Sequence, residues 1–399
     1  MNYHKRIRTA FESLGVVFIK LGQSLSLKSF LFNKQTLKSL SYLQDGISPM
    51  EVDVEKYIMN LNQLLNSIEV DLVPIASASI AQVHRGFVND EVVAIKILRK
   101  DIARQVDKDF KIVFFCAKII NKFCSPALQI LDIVNDIYCN LQQEINFLIE
   151  AKNLQTVKRN LALDKNIHIP SVFLEYSNKN SLVMSFVDGV SLREVIHGNT
   201  AINKKVVATN ILNTYLNQVY RDGVFHADMH AGNIMVKSDS SIALLDFGLI
   251  SRISRKDRRA VATMIYAFLH GNYNLVVRTQ FNAGYISQAI YFNEGYRLAM
   301  KKLANRFQGK FEMSSFTSEL FLIMNQFEIF IPKHLLMLNK TIMYVEDLVK
   351  QLDSQFEPFR VMSPWIKHWY YKEQTIMFFE KNAKLLVHIR NNFYNLSSR

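Results

Sequence analysis

The chain has 399 residues, 49% of them hydrophobic and only 21% charged. That supplies enough apolar material for a buried core in one or two domains and excludes a largely disordered chain. The net charge of +13 is concentrated at the ends, where residues 1–40 hold seven Lys or Arg against Glu12 alone and residues 360–399 hold seven against two acids; the near-neutral body argues against a nucleic-acid groove across the fold, and the basic flanks fit either contact with anionic lipid or ordinary solubilising charge.

Residues 5–65 carry helical periodicity. Within them the apolar run from Leu14 to Ile19 is too short for a signal h-region and is interrupted by Lys20, so no secretory leader is predicted. Residues 71–98 change to strand-like sequence, with Val83 to Val88 and Val92 to Leu98 predicted as strands around a turn at Asn89-Asp90. Helical periodicity returns over 101–160. Two more strands are predicted at Ser171 to Tyr176 and Ser181 to Val187, around a turn at Ser177 to Asn180. From Leu192 the chain reads as mostly helical, broken by a loop and by short strands at Ile234 to Val236 and Ile242 to Leu245. The longest charge-free stretch, Ala260 to Val277, loses its apolar character at His270-Gly-Asn-Tyr-Asn274 and is a poor membrane span. Cys116, Cys124 and Cys139 show no CxxC spacing, so neither a disulfide framework nor a zinc site is indicated. There is no internal repeat, low-complexity segment or Gly/Ser linker.

Chemistry concentrates in Phe225-His226-Ala227-Asp228-Met229-His230-Ala231-Gly232-Asn233, followed by Ala243-Leu244-Leu245-Asp246-Phe247-Gly248. Phosphoryl transfer needs a carboxylate at the incoming nucleophile and oxygen ligands for magnesium around the phosphates. Asp228 is the candidate base, and Asn233 and Asp246 are the candidate magnesium ligands; the Asp-to-Asn offset and the later Asp-Phe-Gly match a kinase catalytic loop in order and separation. Upstream, Val93-Ala94-Ile95-Lys96 follows a turn, the context in which a lysine reaches the α- and β-phosphates. Glu150 is the first choice for its carboxylate partner and Glu144 the second. The stretch before that strand, Pro74-Ile75-Ala76-Ser77-Ala78-Ser79-Ile80-Ala81-Gln82-Val83-His84, has alanine where a phosphate loop has glycine, so its backbone is confined to φ values that a Cβ permits. No two glycines lie closer than Gly15 and Gly22, which removes GxGxxG and GxxxxGK and disfavours a Rossmann dehydrogenase and a Walker-type NTPase. After Gly248 comes a basic run, Arg252 to Arg259, with helical periodicity and no Ala-Pro-Glu, which points to a small-molecule or lipid acceptor or to ATP hydrolysis; the run is read as a solvated helix face. His226 and His230 lack a third ligand for zinc.

With these residues stand Lys20-Leu21-Gly22-Gln23, Leu43-Gln44-Asp45, and the late segments Ile331-Pro332, Val345-Glu346 and Gln351-Leu352-Asp353. Together they resemble the UbiB-type, or ADCK, atypical kinases associated with ubiquinone biosynthesis, over nearly the entire chain. The resemblance implies an α+β, two-lobed protein-kinase-like fold: an N-terminal helical extension (1–70), an N-lobe (71–187), a mostly helical C-lobe (188–360) and a basic aromatic tail (361–399). It implies ATP and Mg2+ as cofactors, with Lys96, Glu150 and Asp228 in catalysis and Asn233 and Asp246 at the metal. Nucleotide contacts are expected from Ala76, Ser77, Ala78, Ser79, Ala81, Gln82, Lys96, Met184 and Phe186, and from Lys20 and Gln23, since the family's extension folds over the nucleotide site and blocks peptide access. The implied partners are a polyprenyl or quinone-precursor lipid, an anionic membrane surface and ubiquinone-biosynthesis proteins, with no nucleic acid. The expected place is peripheral, on the cytoplasmic side of a bacterial inner membrane, or else the mitochondrial matrix.

Three positions depart from the family pattern. Asn146 ends Glu144-Ile145-Asn146 where the family has Glu-x-Asp, and the hinge is Met184-Ser185 in place of Met-Glu. Where bacterial members continue into hydrophobic spans, this chain has Trp365, Trp369, Tyr370 and Tyr371 among lysines, read as an interfacial segment with a packed helix cap as the alternative. Two other functions share part of the pattern. One is a nucleotide-binding pseudokinase that presents lipid intermediates; the other is a small-molecule phosphotransferase of the aminoglycoside-kinase type, which leaves Lys20 to Gln23 unexplained. A flavin or iron hydroxylase lacks its motifs.

Overall fold

The computed structural model describes residues 3–26, 35–36, 39, 43, 68–123, 130–198, 201–307 and 312–397. The chain divides into two compact units, Met1–Val190 with Ala243–Leu249, and Ser191–Ile242 with Ile250–Arg399. The class is α+β, with two helices ahead of the first sheet and a mostly helical second unit.

In the first unit, α1 (Tyr3–Leu14) and α2 (Val16–Ser26) meet at Gly15, whose φ of +97° costs any other residue roughly 1 kcal/mol or more. The α2 helix buries Val16, Val17 and Ile19 and carries Gly22 on a tight contact. A Cβ there would lie 2.4 Å from Leu43 Cδ1 and 2.9 Å from Phe11 Cδ1. Packing, rather than backbone freedom, therefore calls for glycine in Lys20-Leu21-Gly22-Gln23, and Leu43 with Ile7, Phe11 and Ile19 forms a small apolar cluster. Most of the helical reading between 27 and 67, with Gln44 and Asp45, lies outside the described residues.

A four-stranded antiparallel sheet follows, in the order β1 (Ile68–Ser77), β2 (Ala81–Val88), β3 (Glu91–Leu98), β4 (Ser181–Ser185). The β2–β3 turn falls on Asn89 and Asp90, both at positive φ (47° and 65°), the conformation that a two-residue hairpin wants and that Asn and Asp tolerate. Strand alternation sends Val93, Ile95 and Ile97 into a core with Ile68, Val88 and Val183, which places Lys96 on the opposite face. The alanine-rich stretch is not one long loop, because β1 runs to Ser77 and β2 starts at Ala81, leaving a short turn at 78–80. Pro74 is accommodated on edge strand β1, beside register shifts. Ser171 to Tyr176 is not a strand. Val172 makes one bridge to Met184, and Leu174–Tyr176 is a 3-10 turn, because Ser177 Oγ donates to Phe173 O and accepts from Val183 N and so closes the backbone locally. The predicted helical region becomes α3 (Ile102–Phe123), α4 (Ile130–Glu144) and α5 (Phe147–Asn160). Asn146 caps α5, its side chain accepting from Leu148 N at 3.3 Å, a task that Asp or Asn performs equally.

The second unit contains α6 (Leu192–His197), α7 (Lys204–Leu216), a π-helical turn Asn217–Asp222, β5 (Val224–His226) and β6 (Ile234–Val236). The chain passes through β7 (Ile242–Leu244) and returns in β8 (Ile250–Arg252), antiparallel to β5. The rest is helical: α8 (Arg255–Leu269), α9 (Tyr273–Ala283), α10 (Glu294–Arg306), α11 (Met313–Gln326), α12 (Lys333–Leu352) and α13 (Pro358–Ser397). Glu346, from the late sequence segment, is buried and accepts the Met313 N–H at the start of α11.

Two expectations change here. Trp365 and Trp369 do not face outward: both pack on buried Tyr220, with ring centroids 5.4 and 5.8 Å away, and Trp369 is buried, so this stretch is a packed helix rather than an interfacial anchor. The basic run on α8 is not simply solvated, because Arg258 donates to the carbonyls of Tyr220 and Arg221, while Arg255 and Arg259 pair with Glu373 at 3.6 and 2.5 Å. No helix among the described residues is long and apolar enough to cross a membrane.

Candidate active site

In the first unit, β3 delivers Lys96 to two carboxylates at once. Its Nζ donates to both oxygens of Glu150, at 2.8 and 2.9 Å, and to Asp246 Oδ2 at 2.9 Å. Accessibility separates the partners: the Glu150 side chain is 1% exposed, whereas Asp246 is 40% exposed. Glu150 is thus a sealed anchor and Asp246 an open oxygen donor. Burial works against the Lys96 ammonium, but Asp246 and Glu150 outweigh it and hold its pKa above the ordinary lysine value. Two carboxylates against one lysine leave surplus negative charge, and burial together with the Asp246 charge pushes Glu150 up to about 7, against the pull of Lys96 and the Phe247 N–H.

Helix α5 also holds the Asp-Phe-Gly turn. Asn153 Nδ2 donates to Phe247 O at 3.0 Å, Phe247 N donates to Glu150 Oε1, and the Phe247 ring is fully buried. Gly248 N donates to Asp246 Oδ1 at 2.9 Å and closes the turn. Glu144, the second choice for Lys96, pairs instead with Lys20 of α2 at 2.5 Å. A Cβ on Gly248 would lie 3.8 Å from Glu144 Cγ, so the Lys20–Glu144 pair borders the Asp246–Gly248 turn. The Gln23 side chain lies outside the described residues.

The alanine-rich turn is tied down by Arg99, which the motif reading missed. Its side chain donates to Ala78 O at 2.7 Å and Ser77 Oγ at 3.3 Å, and its backbone N–H donates to Ile80 O. Ala76 and Ala78 are exposed and Ser77 and Ser79 half-buried, while Ala81 and Gln82 are buried in β2. Met184 is buried on β4 opposite Ala94; Phe186 donates its N–H to Val92 O, with the Arg85 guanidinium 5.4 Å above its ring.

In the second unit, the π-helical turn presents Gln218, whose Oε1 accepts the His226 N–H at 2.9 Å. His226 Nδ1 accepts from Asp228 N, and Asn233 Nδ2 donates to Asp228 O, so the loop is fixed on itself. A Cβ at Gly232 would fall 2.9 Å from the His230 ring, whose Nδ1 accepts the Gly232 N–H. Lys340 on α12, another residue without a motif signal, places Nζ 3.1 Å from Asp228 Oδ1. In the first unit, an exposed carboxylate beside a fixed lysine is a donor pair suited to a hard divalent cation and a polyphosphate; in the second, the Asp–Asn loop carries oxygen donors of the same hard kind.

The sequence profile of the ABC1 atypical kinase-like domain matches residues 43–280. The chain belongs to the ABC1 atypical kinase-like family. A UbiB helical-domain profile matches residues 297–357, which adds most of α10 to α12 to this family's kinase-like part. The chain is similar to a probable protein kinase UbiB of Photobacterium profundum, 31% identical over 92% of this chain and 70% of that protein. It is likewise similar to the probable protein kinase UbiB of Erwinia tasmaniensis, 29% identical over 91% and 70%. In structure it resembles Rv3197 of Mycobacterium tuberculosis, solved in complex with erythromycin, with a TM-score of 0.59, 20% identity, and coverage of 84% of this chain and 88% of that one; the likeness is one of fold. Within the ABC1 family span lie Lys96, Glu150, Asp228, Asn233 and Asp246, whereas Lys340 lies in the helical-domain span.

Proposed function

We propose that this chain is a magnesium- and ATP-dependent atypical kinase or ATPase that supports ubiquinone (polyprenyl quinone) biosynthesis by acting on or near membrane lipid intermediates. The observation that carries the reading is Lys96, shared between the sealed Glu150 and the open Asp246. In this reading Lys96 holds the α- and β-phosphates and Glu150 orients it. Asp246 and the Asn233 side-chain oxygen are the magnesium ligands, and Asp228 accepts the proton of the incoming hydroxyl or water. Bound magnesium supplies neutralising charge for the transferring phosphoryl group. The turn at 78–80, flanked by Ala76, Ser77, Ala81 and Gln82, covers the nucleotide, with Met184 and Phe186 at the base side.

The acceptor class is supported by the extension. Lys20 and Gln23 belong to a helix that borders the Asp246–Gly248 turn through Glu144, and that position favours a small or lipid acceptor over an extended peptide. A pseudokinase that only presents lipid is disfavoured because every polar position of the phosphoryl-transfer set is filled. An aminoglycoside-type phosphotransferase is disfavoured by the helical-domain match. The location proposed is peripheral, at the cytoplasmic side of a bacterial inner membrane. Purified protein tests this directly: ADP release is measured with and without Mg2+, and with and without phenolic polyprenyl-quinone precursors in vesicles. Magnesium-dependent turnover that rises with the precursor is expected; no magnesium-dependent turnover in any arm would refute the enzymatic reading.

A further inference from the structure

The loop that carries Asp228 holds no lysine or arginine of its own, since Met229 to Asn233 contain only His230 as a basic residue. A cation reaches Asp228 from 112 positions downstream, where Lys340 sets Nζ 3.1 Å from Oδ1. His230 stands on the other side, with Nε2 3.9 Å from Oδ2. Because His230 Nδ1 accepts the Gly232 N–H, Nε2 of the neutral ring carries the hydrogen and faces the carboxylate. The Asp228 side chain stays 32% exposed while Lys340 is 17% exposed, so the clamp is largely shielded and the carboxylate remains reachable. Lys340 is itself placed firmly: its Nζ lies 5.3 Å above the Tyr344 ring one turn along α12, and neighbouring Thr341 and Ile342 are buried where α12 packs on α7 and α11.

We propose that Lys340 is the positioning residue of the catalytic loop: it fixes the Asp228 carboxylate through Oδ1 and sets positive charge beside the site of phosphoryl transfer. This rests on the phosphoryl-transfer reading above and extends it to the helical domain. In the step concerned, the acceptor oxygen bonds to the γ-phosphorus, the bond from that phosphorus to the β,γ-bridging oxygen breaks, ADP leaves, and the acceptor proton passes to Asp228. A carboxylate held at one oxygen aims the other, and an ammonium beside the transferring group stabilises charge on its equatorial oxygens. A salt bridge with a purely structural role would change stability and leave turnover by the folded protein untouched.

The test compares Lys340→Ala, Lys340→Met, Lys340→Arg, Asp228→Asn and the Lys340→Ala/Asp228→Asn double variant in single-turnover Mg-ATP assays, with nucleotide affinity and thermal melting measured alongside. Lys340→Ala and Lys340→Met are expected to lower the turnover rate by about 100-fold while the nucleotide Kd stays within about twofold, and Lys340→Arg is expected to recover part of the loss. In the Asp228→Asn background the same change is expected to cost less than about threefold, because both residues act through one carboxylate. Folded Lys340→Met protein turning over within about threefold of wild type would overturn the proposal, as would an equal loss in both backgrounds. Should Lys340→Ala fail to fold, the Met variant, which keeps the aliphatic stem, decides. A wild type that never turns over ATP overturns this role and the phosphoryl-transfer reading together, whereas an active wild type with an indifferent Lys340 overturns this role alone.

Discussion

Lys96 sets one positive charge against the carboxylates of Glu150 and Asp246, and this imbalance has a pH signature. Glu150 is pushed up to about 7 in the folded protein, so between its ordinary value of 4.5 and about 7 the fold holds a proton that the unfolded chain has lost. This group's contribution to stability is therefore complete below pH 4.5 and declines as pH rises toward 7, by at most about 3 kcal/mol. Asp246→Asn removes part of the upward push, so the variant's unfolding free energy should fall less steeply with pH than wild type in denaturant titrations; identical slopes would contradict the charge balance. Gly22 gives a packing prediction. Gly22→Ala should destabilise by about 1–3 kcal/mol, and much of that should return in a Leu43→Ala background, where the opposing methyl is gone. A Gly22→Ala protein with an unchanged melting temperature would mean that the extension yields without cost. The sequence singles out Lys96, Asp228, Asn233 and Asp246 because their types, order and the Asp-to-Asn offset resemble a kinase's, and the structure pairs Lys96 with Asp246. Asn153, Arg99 and Lys340 were not legible, since their partners lie 94, 21 and 112 residues away and no local pattern announces a contact made by folding.

Among elements, α5 holds the site together: from one helix, Glu150 reaches Lys96 and Phe247, and Asn153 reaches Phe247. Removing the Glu150 carboxylate leaves Lys96 with one partner in a buried place, and Glu150→Ala should cost about 3–5 kcal/mol. At the other edge, the turn at 78–80 depends on Arg99 as much as on alanine. Arg99→Ala should weaken Mg-ATP binding about tenfold, and Ala78→Gly should do less, because Arg99 still holds the Ala78 carbonyl. Calorimetric affinities equal to wild type in both variants would show that the turn does not cover nucleotide. The β2–β3 hairpin was legible from its period-two pattern and Asn-Asp turn, and α3 to α5 from their periodicity. Ser171 to Tyr176 misled because its apolar composition suits a strand while Ser177, a single hydroxyl, bends the backbone into a turn. The two tryptophans misled for a related reason: composition shows an amphipathic ring but not that Tyr220 is waiting to cover it.

For the molecule as a whole, the tryptophans are covered by Tyr220, so the proposed membrane contact is tested at another surface. Helix α3 exposes Ile112 (57%), Phe115 (65%), Ile119 and Ile120 along one stripe, with Lys108, Lys111, Lys118 and Lys122 also exposed. A second copy would set lysine against lysine; an anionic bilayer matches both the apolar stripe and the charge. Phe115→Asp with Ile119→Asp should reduce co-sedimentation with anionic vesicles, and Trp365→Ala should lower stability without reducing it. Equal sedimentation of the α3 variant and wild type would remove this surface from the account. The central claim, however, is nucleotide chemistry at Lys96, Glu150 and Asp246. Titration calorimetry of ATP with and without Mg2+, on wild type and Asp246→Asn, tests it most directly. The account predicts magnesium-dependent binding by wild type that Asp246→Asn abolishes while the fold persists, and equal ATP affinity in the two proteins in the presence of Mg2+ would contradict it.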